Sequence, residues 1–264
     1  MRHPGFFDLE RRLDALSAKG DPLETIKTTV PWEVFRADIE AVTGKRAEER
    51  KSSAGRKPYD AILKFKTLVL QSLYNLSDEQ TEFLIRDRLS FMRFLDLGLE
   101  DAVPDATTIW LFREALVEAG LIDKLFERFG QHLQANGYLA RGGQIIDATI
   151  VSAPKQRNSR DENNKVKVGQ TPEDWEKKAA KNRQKDKDAR WTKKHGRSYY
   201  GYKNHIGVDK AHKLIRKWAA TDASPHDSQH LDDILDENNT AKDVWADSAY
   251  RSAEIEGKPR GRGL

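Results

Sequence analysis

Asp147 and Asp247 are the residues whose type and setting point most directly to chemistry. Asp147 interrupts the apolar, β-branched run Gln144-Ile145-Ile146-Asp147-Ala148-Thr149-Ile150-Val151, and Asp247 follows the apolar stretch from Ala241 to Ala246. Both stretches read as short strands able to lie side by side in one sheet. An ionised carboxylate inside or at the end of such a strand is costly without a partner, a proton or a cation. A divalent ion meets that need. Mg²⁺ or Mn²⁺ takes oxygen ligands, and two ions roughly 3.5–4 Å apart can activate the attacking oxygen and stabilise the leaving one in phosphodiester displacement. An ordinary reading stands beside this one: Asp147 bonds nearby amides, and Asp247 caps a helix that Ala249 begins. His205, His226 and His230 are weaker candidate ligands. The last two are spaced i, i+4 but lack the intervening Glu of a metalloprotease helix, so a structural or solvent-facing role fits them better. With no Cys in the chain, thiolate zinc sites, disulfides and cysteine nucleophiles are excluded.

The formal charge of +4 is modest but unevenly placed. Residues 155–203 hold 16 Lys and Arg against 7 Asp and Glu, which leaves the rest of the chain net acidic. Within this stretch Trp175, Trp191, Tyr199, Tyr200 and Tyr202 are interleaved with Lys193, Lys194, Arg197 and Lys203. The mixture suits neutralisation of phosphate and stacking on an unpaired or distorted base. It equally suits a solvated, partly disordered insertion, or alternate packing of a sheet with Tyr200 and Tyr202 on one side. A second basic stretch, Lys45 to Lys57 with Arg56 and Lys57 at its end, reads as an exposed linker that can touch phosphate or stay in water.

The elements that must position these residues follow from periodicity. Leu9, Leu13 and Leu16 recur at helical spacing, Gly20-Asp21-Pro22 interrupts them, and Trp32, Phe35 and Ile39 resume the pattern. Pro58 opens a long helical region that runs through Phe83, Phe91 and Leu95, and Asp105 or Thr107 can cap a further helix before Ile109. This helical order permits a helix-turn-helix-like DNA reader as well as plain all-helical packing. After Gly142-Gly143 the character changes to strand. Tyr199 to Asp209 and Lys213 to Thr221 form a candidate hairpin, Ser228 to Leu235 a helix entered at Asp227, and Ala241 to Ala246 a strand ending at Asp247. A hydrophobic share of 38% can fill a core. No stretch approaches the roughly 18 apolar residues of a membrane span, and Met1 to Phe7 lack a leader pattern, so no membrane partner and a cytoplasmic location are expected.

At this point the motifs become recognisable. Gly142-Gly143-Gln144-Ile145-Ile146-Asp147-Ala148-Thr149-Ile150-Val151-Ser152-Ala153-Pro154, followed by Gln156-Arg157-Asn158, resembles the first catalytic strand of bacterial insertion-sequence transposases of the DDE class, in the insertion-sequence-5 group. Tyr200-Gly201-Tyr202-Lys203-Asn204-His205-Ile206 is similar to that family's next strand, and Val244-Trp245-Ala246-Asp247-Ser248-Ala249-Tyr250-Arg251-Ser252 to its second catalytic strand. Tyr74 to Gln80, Leu89 to Leu95 and Pro104 to Thr108 resemble its helical N-terminal region.

The resemblance implies an α/β ribonuclease-H-like catalytic domain preceded by an all-helical N-terminal domain. It also implies Mg²⁺ (or Mn²⁺) dependence, and cleavage and joining of double-stranded DNA at terminal inverted repeats and target DNA by a homo-oligomer on the DNA. Asp147 and Asp247 carry over as the first two acidic ligands. The expected organisation is a small helical unit over 1–50, a helical DNA-end recognition domain over 51–140, and the catalytic domain over 141–264 with the basic insertion at about 155–198. The family's third acid is a Glu on a later helix, within a Tyr-Arg-Glu-Lys signature. Glu254 and Glu256 do not lie at its spacing, so the expectation is a chain truncated at its C-terminal end, with weak or no activity. The rivals are a non-catalytic DNA-binding regulator of transposition and a decayed remnant.

Overall fold

The computed structural model describes residue 5 and residues 7–43, 58–194, 196–241 and 243–250. The chain divides into two compact units, Met1–His132 and Leu133–Leu264. Among the described residues, no helix is long and apolar enough to cross a membrane.

The regular elements described in the first unit are helices: α1 (Asp8–Ser17), α2 (Pro22–Thr29), a 3-10 turn (Trp32–Phe35), α3 (Arg36–Thr43), α4 (Ala61–Tyr74), α5 (Asp78–Asp87), α6 (Leu89–Phe94), α7 (Ala106–Glu118) and α8 (Leu121–Ala135). Side-chain caps set several of the starts. Asp21 accepts from Leu23 N at 3.0 Å, Asp60 from Ile62 N at 2.8 Å, and Asp105 from Thr108 N at 2.7 Å. Ser77 and Gln80 form a reciprocal capping box. Each such cap satisfies an amide with no helical partner, an effect of about 1 kcal/mol. Asp60 rather than Pro58 opens the long helix, and Asp105 rather than Thr107 opens α7. Arg93 ties α6 to the first two helices, donating to Leu13 O at 3.2 Å, Ser17 Oγ at 2.7 Å and Asp21 Oδ2 at 2.6 Å. The expected division at residue 50 does not separate two cores. Trp32, Phe35 and Ile39 share one cluster with Leu70, Ile85, Phe91, Phe94 and Leu116.

The second unit is a mixed α/β fold. Its elements are β1 (Gln144–Ser152), α9 (Arg160–Lys167), α10 (Glu173–Glu176), α11 (Ala179–Arg183), β2 (Arg190–Lys194), β3 (Arg197–Asp209) and β4 (Ile215–Asp222). They continue with a 3-10 turn (Asp227–His230), α12 (Leu231–Ile234), β5 (Val244–Ala246) and a closing 3-10 turn (Ser248–Tyr250). β1 lies between β3, antiparallel with Gln144 opposite Asp209 and Ser152 opposite Gly201, and β5, which is parallel to it. β2 and β4 both pair with β3. The expected hairpin forms, but its second strand starts at Ile215, after a turn closed by the buried Asp209. That carboxylate accepts from His212 N at 2.7 Å and Leu214 N at 3.3 Å, and from Arg216 Nε at 3.2 Å. The expected single helix over 228–235 is a 3-10 turn followed by α12, and its capping side chain is His226, not Asp227.

Alternation sorts the sheet into two faces. Ile146 and Ala148 point with Ala219 to the side covered by Leu231, Ile234 and Tyr250. Asp147, Thr149 and Val151 point with Ile206, Asn204 and Tyr202 to the other side. Gly201 allows β3 to cross the end of β1: its φ is +152°, and a Cβ there would overlap the carbonyl oxygen of Val151.

The basic insertion is folded. Its helices are too short to persist alone, and they gather around Trp175, which is fully buried. The Trp175 indole donates to Glu162 Oε1 at 2.6 Å, and Lys181 Nζ reaches the same oxygen at 3.1 Å. The Ser159 amide, the Trp175 indole and the Lys181 ammonium together pull the Glu162 carboxyl down to about 2. The prediction is that Trp175→Ala, which removes a large buried ring at a cost of about 3–5 kcal/mol, opens residues 155–198 to limited proteolysis. Equal protease resistance in variant and parent would show that Trp175 does not hold the insertion.

Candidate active site

The parallel pairing of β1 with β5 builds this site. Gln144 stands opposite Val244, Ile145 opposite Trp245 and Ile146 opposite Ala246. Asp147 and Asp247 follow the last of these pairs, Asp147 within β1 and Asp247 just past the end of β5. Asp147 lies on the face of Ile145, and both aspartates are exposed. The expected penalty of a carboxylate enclosed among apolar residues therefore does not arise. Asp147 Oδ1 accepts from the Ala148 amide at 2.8 Å. The Asp247 side chain accepts from the Ala249 amide, and its carbonyl accepts from Tyr250 N at 3.1 Å. The capping role foreseen for Asp247 is thus present, on a 3-10 turn.

Side-chain to backbone exchanges fix the start of this strand pair. Gln144 Nε2 donates to Asp236 O at 3.0 Å while Asp236 N donates to Gln144 Oε1 at 2.7 Å. Asn239 Nδ2 donates to Gly143 O at 2.9 Å, and Gly143 N to Asn239 Oδ1 at 3.1 Å. Gly143 is required there: its φ is +89°, and a Cβ would overlap the Trp245 ring.

Tyr250, at the far end of the Asp247 turn, is 3% exposed and anchors it. Its oxygen lies 3.1 Å from His205 Nδ1, and His205 Nε2 lies 3.2 Å from Thr221 Oγ1. Proton placement follows from the end of the chain. Thr221 uses its proton on Asp222 O at 2.9 Å, so His205 donates from Nε2, accepts at Nδ1, and receives the Tyr250 proton. Burial, then the negative fields of Asp227, Asp147 and Asp247, push the Tyr250 hydroxyl well above its ordinary value and keep it a donor. Burial pushes His205 below the usual imidazole value.

Lys203, expected among the DNA contacts, is instead turned inward. It is 8% exposed, donates to Pro225 O at 2.6 Å and lies 2.8 Å from Asp227 Oδ1. That second approach is off the hydrogen-bonding line and acts as an ion pair. Lys193, Lys194 and Arg197 sit exposed at the tip of the β2–β3 hairpin. Arg56 and Lys57 lie outside the described residues, as do Glu254, Glu256 and the rest of the chain end. Trp175 is buried and cannot stack on a base, whereas Trp191 is half exposed. Tyr200 and Tyr202 both direct their hydroxyls to Asp186, at its carbonyl and at Oδ1. His226 and His230 bond within their own segment, to Ser228 and to Asp233. Among the described residues no three His, Asp or Glu side chains gather as a metal cage, so Asp147 and Asp247 stand as a pair. Sequence reasoning missed Tyr250 and Asp227. The signal for Tyr250 was its i+3 spacing from Asp247, one turn on.

Two predictions follow from this network. Tyr250→Phe removes the proton donated to His205 and should cost about 1 kcal/mol in thermal unfolding; an unchanged midpoint would mean that the hydroxyl does not anchor the turn. Because the folded state holds His205 neutral, its contribution is present above the unfolded imidazole value of about 6.5 and is lost as pH falls below it. The thermal midpoint should therefore drop more steeply from pH 7.5 to 5.5 in the parent than in His205→Asn, and parallel profiles would sink the assignment.

Two family profiles match the chain: a Transposase domain (DUF772) over residues 11–115, and a Transposase DDE domain over residues 139–263. No solved structure matches it. The first profile falls on the helical unit, and the second spans the sheet that carries Asp147 and Asp247. The chain belongs to the DDE-class transposases.

Proposed function

We propose that this chain is the transposase of an insertion sequence of the insertion-sequence-5 group, built on a ribonuclease-H-like catalytic domain, which cuts and joins DNA at terminal inverted repeats. The observation that carries the reading is the parallel pairing of β1 with β5, whose last pair, Ile146 with Ala246, immediately precedes the exposed Asp147 and Asp247. Two acidic oxygen donors with solvent access fit a hard divalent ion such as Mg²⁺ or Mn²⁺ and offer no soft ligand for zinc or copper. Asp147 and Asp247 would hold it. Such an ion supplies Lewis-acid stabilisation of charge on the transferring phosphate.

The chain's own residues perform the remaining tasks. The Tyr250–His205–Thr221 network keeps the Asp247 turn in place. Lys193, Lys194 and Arg197 offer phosphate neutralisation at the hairpin tip, and Arg56 and Lys57, outside the described residues, are further candidates for phosphate contact. Transposition requires two DNA ends held together, which suits a homo-oligomer assembled on DNA.

The test is cleavage and strand transfer on a labelled duplex that carries the element's own ends, with Mg²⁺ or Mn²⁺. Whatever cleavage and strand-transfer products the parent chain gives should fall at least 100-fold in both Asp147→Ala and Asp247→Ala, as preorganised charge stabilisation of this kind supplies about that much. Specific binding of the ends without cleavage would replace the enzyme reading with that of a regulator. Activity that survives both substitutions would remove these residues from the site.

A further inference from the structure

Lys210 follows the last residue of β3, at the opposite end of that strand from the basic hairpin tip, and lies outside both basic stretches of the sequence. Asp209 before it is buried, so parity turns Lys210 to the side of Val208 and Ile145, the open face that carries Asp147. Its ammonium sits 3.8 Å from the centre of the Trp245 ring, in cation–π contact. The ring is itself fixed, lying so close over Gly143 that a Cβ there would overlap it. The backbone is fixed as well. Lys210 N donates to Gly143 O at 3.0 Å and Ala211 N to Arg141 O at 3.2 Å, which ties the β3–β4 turn to the approach to β1.

A lysine on an open surface spreads over many rotamers and loses that freedom when it binds a phosphate. Lys210 has given up part of it already. Its charge is still available, because an aromatic ring offers a quadrupole and no net negative charge. The neighbouring carboxylate of Asp209 is taken by Arg216 and by the amides of its own turn. Among the described residues Lys210 forms no ion pair. Arg141 and Lys213, both exposed, add positive charge to the same turn and its anchor. An oriented, uncompensated ammonium on an open face fits a phosphate oxygen.

Register sets its place relative to the site. Gly143, which the Lys210 amide meets, precedes Asp147 by four residues of extended chain, roughly 13 Å. In the other direction Asp147 pairs with Ile206, nine residues along β3 from Arg197 at the hairpin tip, or roughly 30 Å. Cations therefore stand at both ends of the sheet with Asp147 between them. A duplex laid along β1 meets the hairpin tip on one side of the cut and Lys210 on the other. At ~3.4 Å per nucleotide along one strand, Lys210 is about four nucleotides from the phosphate at Asp147.

We propose that Lys210, preorganised on Trp245, binds a DNA phosphate about four nucleotides from the scissile one, on the side of the cut away from the insertion. The proposal rests on the DNA-acting reading above. It is tested by fluorescence anisotropy of the full chain, without divalent metal, on a duplex of the element's end and its flank. A set of the same duplexes, each with one phosphate replaced by an uncharged methylphosphonate, locates the contact. Lys210→Ala should reduce the slope of log affinity against log salt by about 0.9, the mark of one lost phosphate contact, while Lys210→Arg should keep the parent's slope. In the parent, a methylphosphonate about four nucleotides from the cut, on one side only, should weaken binding about fivefold at 0.15 M salt. In Lys210→Ala the same replacement should change nothing. Trp245→Leu should weaken binding in the parent and have no further effect in Lys210→Ala, because it acts through the lysine. An unchanged slope in Lys210→Ala, or the same methylphosphonate pattern in both proteins, overturns the proposal and spares the DNA reading. So does an effect of Trp245→Leu that is equal with and without the lysine. Failure of the parent to bind any of the duplexes overturns the DNA reading and this inference with it.

Discussion

Where Asp247 lies relative to Asp147 depends on the parallel seam between β1 and β5. Three residue pairs are too few to hold a strand by backbone bonds alone, and among the described residues β5 has no other partner in the sheet. Its position is therefore borrowed from its flanks. On one side, Gln144 and Asn239 exchange paired hydrogen bonds with backbone across nearly a hundred residues of sequence. On the other, Tyr250 sinks into the layer beneath the sheet and meets His205. Strand, turn and anchor form one continuous device that positions Asp247 at the end of β5, next to the strand that carries Asp147.

The two faces of the sheet divide the work. The covered face is where folding free energy is gathered, from Ile146, Ala148 and Ile234, and where buried polar groups find partners in Lys203–Asp227, His205–Tyr250 and Asp209–Arg216. Burying such groups is tolerable only because each is paired. The open face carries Asp147 and a cation over an aromatic ring in Lys210 and Trp245. Solvent access and charge are concentrated there, where a polyanion can approach.

Much of this was legible in the sequence. The β-branched run around Asp147 announced its strand, the turn chemistry at Gly142-Gly143 marked the change from helix, and the catalytic motifs carried the family. Lys203 was misjudged although the signal was present: with Tyr200 and Tyr202 on one face, the next position, 203, must turn to the other, and there the side chain meets Asp227. Trp175 gave no such warning. It lies among charged residues without apolar periodicity, and its burial depends on a capping box and short helices that form only together. The Tyr250 anchor escaped for a similar reason, since a three-residue 3-10 turn is too short to show a period. The division expected at residue 50 followed a gap in hydrophobic pattern, but the helices on both sides of that gap fill one core.

The brevity of β5 has a further consequence. Parity in a strand is binary, so a shift of β5 by a single residue would not widen the gap between the aspartates by degrees. It would exchange the faces of Trp245 and Ala246 and carry Asp247, the next residue, away from its place beside β1. Small perturbations of this seam should therefore act as an on–off error, with intact sites and empty ones but few that are merely loosened.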